Sequence, residues 1–533
     1  MDNSRTKTIY KNSIVTLICQ IFQIFLAFVL RKIFISTLGV AYLGYNSVFA
    51  NILQMLNLAD MGIGVAITSF LFKPLADGDK ERIATLMYLY KKVYNIMGFV
   101  VLAIGLVISI FLGTIISDAT CNLGYLRILF YINLIGTIST YFLAYKRTLI
   151  IADQKSYIPN LVDMITDFAV SAAQIIYLLV KPNYIIYLVL AITKNIISNI
   201  NISIRCDKEY GRIGNNVSEE YVKEYKPQII QYVKEVFVSR IGATIFYSTD
   251  NIIISSFRGS LLVGYLSSYT MITVQLTTVV NQILASLQAT FGNYIHSRKS
   301  LDEQLKMTNN YFCVNFIIGN FCMICFTLLV QPFVSLFFGQ TLVLPFSTVI
   351  WLGVNLMLTI LIQLPSQVFI IYKLFNYDRP IIITSAILNI IISVVLVNPI
   401  GIDGVLIGTF VTSLIYLFSR FYIIAKHVYK VSYRNYLIKI FLYFVLSAVS
   451  LILIYFACSR ITGFSMKSFV LRMMVVGLMA LFIPMTALAF TQEFQFLSNI
   501  LLPMKIRKYC NKYVLCGISL LLVIASFLIG EYN

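Results

Sequence analysis

Fourteen long apolar segments, separated by short polar loops, constrain this chain more than any other feature. Each is about as long as the ~20 residues that an α-helix needs to cross the hydrocarbon core of a bilayer. Because lipid satisfies no backbone N–H or C=O group, segments of this length and composition must be helices. Only 12% of the 533 residues are charged, about half the usual share in a soluble domain. The sequence therefore predicts an all-α polytopic membrane protein with about 14 transmembrane helices.

The spans fall near residues 14–34, 42–70, 93–116, 125–144, 158–180, 184–204, 236–256, 262–291, 309–330, 346–370, 380–397, 403–424, 437–457 and 468–490. Residues 1–11 are polar and basic, and no small-residue cleavage site follows the first apolar segment. We therefore expect the first span to remain as an anchor.

The excess of positive charge, +19, indicates orientation. With the amino terminus inside, the segments on the inner side carry 30 of the 41 Lys and Arg residues. This is the positive-inside distribution, which predicts a cytoplasmic amino terminus in a plasma membrane. Because membrane topology explains the excess of Lys and Arg, the net positive charge gives no reason to expect a nucleic-acid partner.

An internal repeat predicts the domain organisation. Residues 39–47 can be laid on residues 259–267, and two Gly, one Tyr and one Ser coincide at an offset of 220. An even number of spans per half produces a parallel repeat. We predict an N-lobe of six spans (1–204), a cytoplasmic linker with an amphipathic helix (205–235), a C-lobe of six spans (236–424), and additional C-terminal spans with a tail (425–533). Residues 513–530 form either a fifteenth span or a peripheral helix.

Three blocks of sequence carry a resemblance to a known family. They are residues 38–76, with Leu38-Gly39, Tyr42-Leu43-Gly44, 58–64 and Lys73-Pro74-Leu75-Ala76; residues 249–269, with Thr249-Asp250-Asn251, Val263-Gly264-Tyr265 and Ser267-Ser268-Tyr269; and residues 400–405. In these blocks the chain resembles the polysaccharide-transporter (Wzx-type) flippases of the multidrug/oligosaccharidyl-lipid/polysaccharide exporter superfamily. The resemblance implies a two-lobed, V-shaped bundle with a central cavity. It also implies outward movement of undecaprenyl-diphosphate-linked oligosaccharide, for surface polysaccharide export from the bacterial plasma (inner) membrane.

Cationic residues within the spans are candidates for binding the diphosphate. A charge in the bilayer is expensive, by about 2.5–3.5 kcal/mol on insertion scales, and a guanidinium offers a planar fork for phosphate. Arg31 and Lys32 lie near the outer end of the first span, where they either snorkel to the interface or line the cavity that the resemblance implies. Arg240 joins them as a candidate. Asp250 and Asn251 complete the set: Asp250 either pairs with Arg31 across the lobes or belongs to a helix end.

Four other charged residues are candidates for gating or coupling. Asp60, followed by two glycines, either pairs with Arg240 or takes a proton during transport. Asp163 and Asp167 are four residues apart and share a helix face, and Lys194 in the sixth span is the expected counter-ion. The alternative for both aspartates is a helix start favoured by the macrodipole. Arg420, near the inner end of the twelfth span, is expected to snorkel.

No nucleotide-binding or hydrolase motif occurs in a suitable context, and Cys322 and Cys325 have no second pair of metal ligands. We therefore expect no cofactor, no metal and no enzymatic activity. The predicted function is a flippase that works by alternating access, with the lipid-linked glycan, membrane lipids and other polysaccharide-assembly membrane proteins as partners. The alternatives are a cation-coupled multidrug exporter of the same superfamily, and a membrane glycan polymerase or glycosyltransferase.

Overall fold

The computed structural model describes residues 3–57, 60–116, 118–119, 121–143, 145–211, 217–231, 248–296, 300–459, 461, 465–489, 491 and 493. Across these ranges the chain is helical and contains no strand. The first ten helices are α1 (Asn3–Leu38), α2 (Val40–Leu56), α3 (Asp60–Asp77), α4 (Lys80–Ile110), α5 (Leu112–Ile115), α6 (Leu123–Leu143), α7 (Tyr145–Ala152), α8 (Tyr157–Val180), α9 (Tyr184–Tyr210) and α10 (219–231).

Nine further helices follow: α11 (Asp250–Arg258), α12 (Ser260–His296), α13 (Leu301–Phe338), α14 (Phe346–Leu361), α15 (Gln363–Ile371), α16 (Phe375–Ile400), α17 (Ile402–Ile423), α18 (Tyr433–Ser459) and α19 (Met466–Leu488). A 3-10 turn covers Gln340–Leu342, and a π-helical segment, Ile424–Tyr429, extends α17. The predicted helices of the tail, beyond residue 493, lie outside the described residues.

Eleven helices of the described ranges are long and apolar enough to cross a membrane. Each corresponds to one predicted span, which confirms the all-α polytopic membrane class. The other three predicted spans are 42–70, 236–256 and 262–291. The first covers α2 and α3, and residues 58 and 59 between these helices lie outside the described residues. The second lies largely outside the described residues, and the third is α12, which is rich in Ser, Thr, Asn and Gln.

Local signals explain where several helices begin. Asp79 accepts a hydrogen bond from the backbone N–H of Arg82 at 3.0 Å and caps α4. Asn183 caps α9 in the same way. Ser300 and Glu303 form a capping box at the start of α13. Such caps satisfy backbone donors that have no partner within the helix.

The chain forms two compact units, residues 1–264 and 265–533. The boundary falls inside α12, later in the chain than the predicted linker. In the first unit, α8 packs on α1 and α9, and α6 packs on α4 and α9. In the second, α13 packs on α14 and α19, and α16 packs on α17. The predicted division into two six-span lobes stays a prediction.

The second unit has a core rich in aromatic rings. Phe316 and Tyr443 stack with their centroids 3.9 Å apart, and Phe312 packs against Phe421 at 4.7 Å. By contrast, α18 exposes a row of large apolar side chains, among them Phe441, Leu442, Val449, Ile452 and Phe456. A helix that exposes such a row is suited to face lipid rather than water.

The sequence repeat corresponds to repeated backbone geometry in the first unit. Gly39 precedes α2 with φ of 87°, and Gly259 precedes α12 with φ of 94°. An L side chain disfavours this conformation, so glycine is required at both helix starts. Five residues into each copy, Gly44 and Gly264 bring α2 and α12 into close contact. The predicted repeat therefore has a structural basis.

Asp118, in the short connection between α5 and α6, caps the amino end of α12. Its carboxylate accepts hydrogen bonds from the backbone N–H and the hydroxyl of Ser260, at 2.7 and 2.8 Å, and from the N–H of Leu261 at 3.2 Å. Partial burial raises the pKa of this carboxyl, but the hydrogen bonds from Ser260 and Leu261 outweigh it, so the pKa lies below its ordinary value. Asp118 thus ties two distant parts of the first unit together.

Candidate functional site

A polar cavity of about 320 Å³ lies in the first unit among five helices. We call it the ion-pair pocket and define it by its lining residues, Gln23, Thr140, Arg147, Asp163, Asp167, Lys194, Asn195, Ser198 and Asn199. They come from α1, α6, α7, α8 and α9. Three of the predicted candidates, Asp163, Asp167 and Lys194, therefore lie together in one cavity.

Arg147 and Asp163 form the first ion pair of this pocket. The guanidinium donates to both carboxylate oxygens, at 2.6 and 2.9 Å, in the bidentate arrangement that makes such pairs strong. Ser198 on α9 donates to the same carboxylate, and Arg147 donates to the Ser198 hydroxyl at 3.2 Å. This pair therefore joins α7, α8 and α9.

Asp167 and Lys194 form the second ion pair. The ammonium lies 2.9 Å from one carboxylate oxygen, and the amide of Gln23 on α1 donates to the other at 2.7 Å. Lys194 is thus the counter-ion that the sequence suggested. Because Asp163 and Asp167 are one turn apart on α8, the two pairs are stacked along a single helix face.

Charge and exposure together indicate what the pocket can do. Two cations and two carboxylates make it neutral overall, which removes most of the cost of placing charges between membrane helices. The side chains of Lys194 and Asp167 are 38% and 20% exposed, so the pair is open to solvent-sized species. A proton, a cation or an anionic group can therefore compete for either partner.

The other predicted residues lie elsewhere or outside the described side chains. Arg31 is half-buried and Lys32 exposed near the end of α1. Asp250 is in the first turn of α11, with Asn251 next to it, where a carboxylate is favoured by the helix dipole. Asp60 begins α3, but its side chain is outside the described part of the chain, as is Arg240. The proposed pairings of Arg31 with Asp250 and of Asp60 with Arg240 stay predictions.

The expectation that Arg420 snorkels is wrong. Its side chain is only 5% exposed and makes a bidentate pair with Asp378, at 2.9 and 2.8 Å. It also donates to Ser366 and lies 4.0 Å from the ring centroid of Tyr416. Asp378 was placed in a loop from the sequence, but α16 begins at Phe375 and buries it.

The two units build comparable polar clusters on corresponding helices. In each, two helices that follow each other closely (α6 and α7, or α14 and α15) are followed by two long helices. The acid lies near the start of the first long helix, as Asp163 on α8 or Asp378 on α16. The arginine and the serine exchange places: Arg147 lies on α7 and Ser198 on α9, whereas Ser366 lies on α15 and Arg420 on α17.

Sequence reasoning missed Arg147 because it follows the fourth span, where a basic residue is explained by topology. A signal was present nevertheless. Arg147 follows one span and Asp163 begins the next, so in antiparallel neighbours both lie at the same end of the bundle. Opposite charges at that position favour an ion pair.

Three solved structures are similar to this fold. A lipid II flippase, MurJ, in an inward closed conformation matches with a TM-score of 0.63 and 15% identity, covering 90% of this chain and 98% of its own. An inward-facing multidrug-resistance MATE transporter of the MOP superfamily matches with a TM-score of 0.60 and 17% identity, covering 78% and 98%. The chain has the fold that these structures share.

A third MOP-superfamily transporter, from Pyrococcus furiosus, matches this fold with a TM-score of 0.53 and 16% identity, over 79% of this chain and 96% of its own. No protein-family model matches the sequence, and no curated protein matches it either. These similarities show the fold of the chain, and its function is argued below from other observations.

Proposed function

We propose that this protein is a flippase that moves a polyprenyl-diphosphate-linked oligosaccharide from the inner to the outer leaflet of the bacterial plasma membrane. The observation that carries the proposal is the extent of the structural match. The lipid flippase covers 90% of this chain, whereas the other two transporters cover 78% and 79%. The difference is about the length of two or three membrane-spanning helices. The additional helices therefore favour the lipid-carrier branch of the fold.

The chemistry of such a substrate matches the charges of the chain. A glycan cannot cross hydrocarbon unaided, because each unpaired polar group costs several kcal/mol. Arg31, Lys32 and Arg240 would neutralise the diphosphate, with Asp250 and Asn251 nearby in the binding region. An inside-negative potential drives the anion outward, by roughly 2.3 kcal/mol per charge per 100 mV. The amino terminus is cytoplasmic in this proposal.

The ion-pair pocket would couple the change of access to an ion or to the substrate. Its four charges hold α1, α7, α8 and α9 together while the two pairs are intact. A proton on Asp163 or Asp167 would release the cation opposite and loosen these helices. Protonation of Asp60 would likewise release a cationic partner, for which Arg240 is the candidate. The bundle would then switch between inward and outward access by rocking of its repeats.

A cation-coupled multidrug exporter is the second candidate, because the MATE transporters share the fold and the pocket contains two carboxylates. The two candidates differ in the charge of the cargo. A flippase must bind a dianionic headgroup, whereas an exporter of cationic drugs needs uncompensated acids. In the described pocket, each acid has a cation beside it, which supports the flippase.

The test is depletion of the protein in its native cell. If the proposal is right, lipid-linked oligosaccharide accumulates in the inner leaflet, surface polysaccharide falls, and resistance to cationic drugs stays unchanged. Reintroduction of the wild-type gene restores surface polysaccharide. Normal polysaccharide with increased drug sensitivity would contradict the proposal and favour the exporter.

A further inference from the structure

The second unit contains a cavity of about 540 Å³ that the proposed transport function does not use. It lies where α16 begins, α17 ends and α18 begins. Its lining is dominated by rings, with Tyr377, Phe418, Tyr422, His427 and Tyr433 around Asn376. We call it the aromatic pocket. The rings of Tyr377 and His427 are 4.7 Å apart, and those of Tyr422 and Tyr433 are 5.5 Å apart.

A π-helical segment contributes His427 to the lining of the aromatic pocket. Ile424–Tyr429 continues α17 with the wider turn and ends at Lys430, whose φ is 54°. Segments of this kind are rare and frequently mark functional sites. Two consecutive exposed residues of this segment flank the pocket: His427 contacts Tyr377, and the Lys426 ammonium lies 3.3 Å from the Tyr422 hydroxyl.

The surroundings of the aromatic pocket are strongly basic. Residues 373–379 and 426–434 contain Lys373, Arg379, Lys426, Lys430 and Arg434. The one acid in these two segments is Asp378, and its charge is neutralised by the buried pair with Arg420. Lys373, Lys426, Lys430 and Arg434 are all exposed. We call these four exposed cations the rim; they adjoin the lining residues in the sequence rather than line the cavity themselves. Within the two segments no acid is left to oppose their charge.

We propose that the aromatic pocket binds the phosphate headgroup of an anionic bilayer phospholipid. The ends of membrane helices lie at the level of the headgroups, where Tyr and Lys or Arg side chains anchor a protein. Basic pockets between such helices are a known form of lipid headgroup site. The aromatic walls provide contact for the glycerol and the first acyl carbons, and the lysines attract the phosphate.

A bilayer phospholipid fits the aromatic pocket better than the diphosphate of the transported lipid. The guanidinium of Arg420, a buried residue next to the lining residue Ser419 in the sequence, already donates to both carboxylate oxygens of Asp378. The exposed lysines of the rim act as point charges without that geometric preference. They attract any phosphate, and phospholipids greatly outnumber carrier lipids in a membrane.

The experiment measures lipid retained by the purified full-length protein. Protein in mixed phosphatidylglycerol and phosphatidylcholine nanodiscs is extracted and analysed by native mass spectrometry. Wild type retains phosphatidylglycerol in preference to phosphatidylcholine. In the K426E/K430E variant the ratio of retained phosphatidylglycerol to phosphatidylcholine falls about tenfold. In Y422A the ratio falls by less, although the charge of the protein is unchanged. The matched control K208E/K223E, which alters two exposed lysines of the first unit, retains the wild-type preference.

Three outcomes would overturn the lipid site. They are unchanged retention in K426E/K430E, an equal loss in the control, and displacement of phosphatidylglycerol by an equimolar short-chain polyprenyl diphosphate. If K426E/K430E fails to fold, K426Q/K430Q replaces it with a smaller change of charge. The readout requires no transport, so its failure is distinguishable from failure of the proposed flippase function.

Discussion

Gly44 on α2 and Gly264 on α12, 220 residues apart, each lie against the backbone of the helix that carries the other. A Cβ at Gly44 would overlap the carbonyl oxygen of Ser260, and a Cβ at Gly264 would come within 2.5 Å of the carbonyl oxygen of Val40. Val40 and Ser260 are themselves 220 residues apart. The contact is therefore reciprocal and joins matching positions of the two copies of the repeat.

Substitution of either glycine should separate these helices. We expect Gly44→Ala and Gly264→Ala each to lower stability by about 1–3 kcal/mol, since neither clash can be relieved by moving a flexible side chain. Thermal unfolding in detergent measures the effect. Gly477→Ala is the control, because a Cβ at Gly477 meets nothing within 4 Å and alanine favours a helix. Equal melting temperatures for all three variants would contradict the close contact.

The buried pair of Arg420 and Asp378 should respond asymmetrically to mutation. Arg420→Met leaves a carboxylate without its cation in the second unit, which costs about 3–5 kcal/mol. Removal of both charges in R420M/D378L should restore much of that loss, because apolar groups of similar volume need no partner. Folded yield and melting temperature test this prediction. If the double variant is no more stable than Arg420→Met, the prediction is contradicted. The ion pair then contributes more to stability than the mutual neutralisation of its two charges.

The side chains of Arg147 and Asp163 are 28% and 27% exposed, and we expect the role of this pair to be functional. Asp163→Asn should change stability by no more than about 1 kcal/mol and abolish transport, because a neutral amide cannot form the ion pair with Arg147. The control is Asp207→Asn, which breaks the neighbouring pair with Lys146 between α7 and α9. This pair lies outside the lining of the pocket. Loss of transport in both variants would assign the effect to helix packing.

The cap on α12 should make stability depend on acidic pH. The pKa of Asp118 is lowered by its hydrogen bonds from Ser260 and Leu261, so its contribution is present above the unfolded-state pKa, about 3.9. It is lost as the pH falls through the folded-state pKa. Asp118→Asn should cost about 1 kcal/mol at neutral pH and flatten the pH profile below about 4. Asp77→Asn, a control at an exposed carboxylate, should keep the wild-type profile.

Hydropathy predicted the membrane helices of this chain well because eleven of them are continuous and apolar. The predicted span at 42–70 stays a prediction, because residues 58 and 59 between α2 and α3 lie outside the described residues. The sequence repeat was visible as four identities. One of them pairs Gly39 with Gly259, and both have a positive φ that disfavours any residue other than glycine. The sequence did not indicate that Gly44 and Gly264 contact each other's helices; only the structure shows this contact.

The candidate site was predicted in part. Helical spacing placed Asp163 and Asp167 on one face, and Lys194 was the cation at a suitable depth in the next span. Arg147, Gln23 and Ser198 were missed because each comes from a different helix and has no spacing relationship to α8. The prediction for Arg420 was wrong because its partner, Asp378, falls between the predicted spans 346–370 and 380–397. In the structure α16 already begins at Phe375 and includes Asp378.

The central claim is that this chain flips a polyprenyl-diphosphate-linked glycan, and the most direct measurement uses purified protein in proteoliposomes. A labelled lipid-linked oligosaccharide is placed in one leaflet, and an impermeant glycosidase reports its arrival in the other. Wild type should make the substrate accessible many times faster than protein-free vesicles, and Arg31→Ala and Asp163→Asn should fall to the protein-free rate while remaining folded. Wild-type protein that leaves the substrate in its original leaflet would contradict the account.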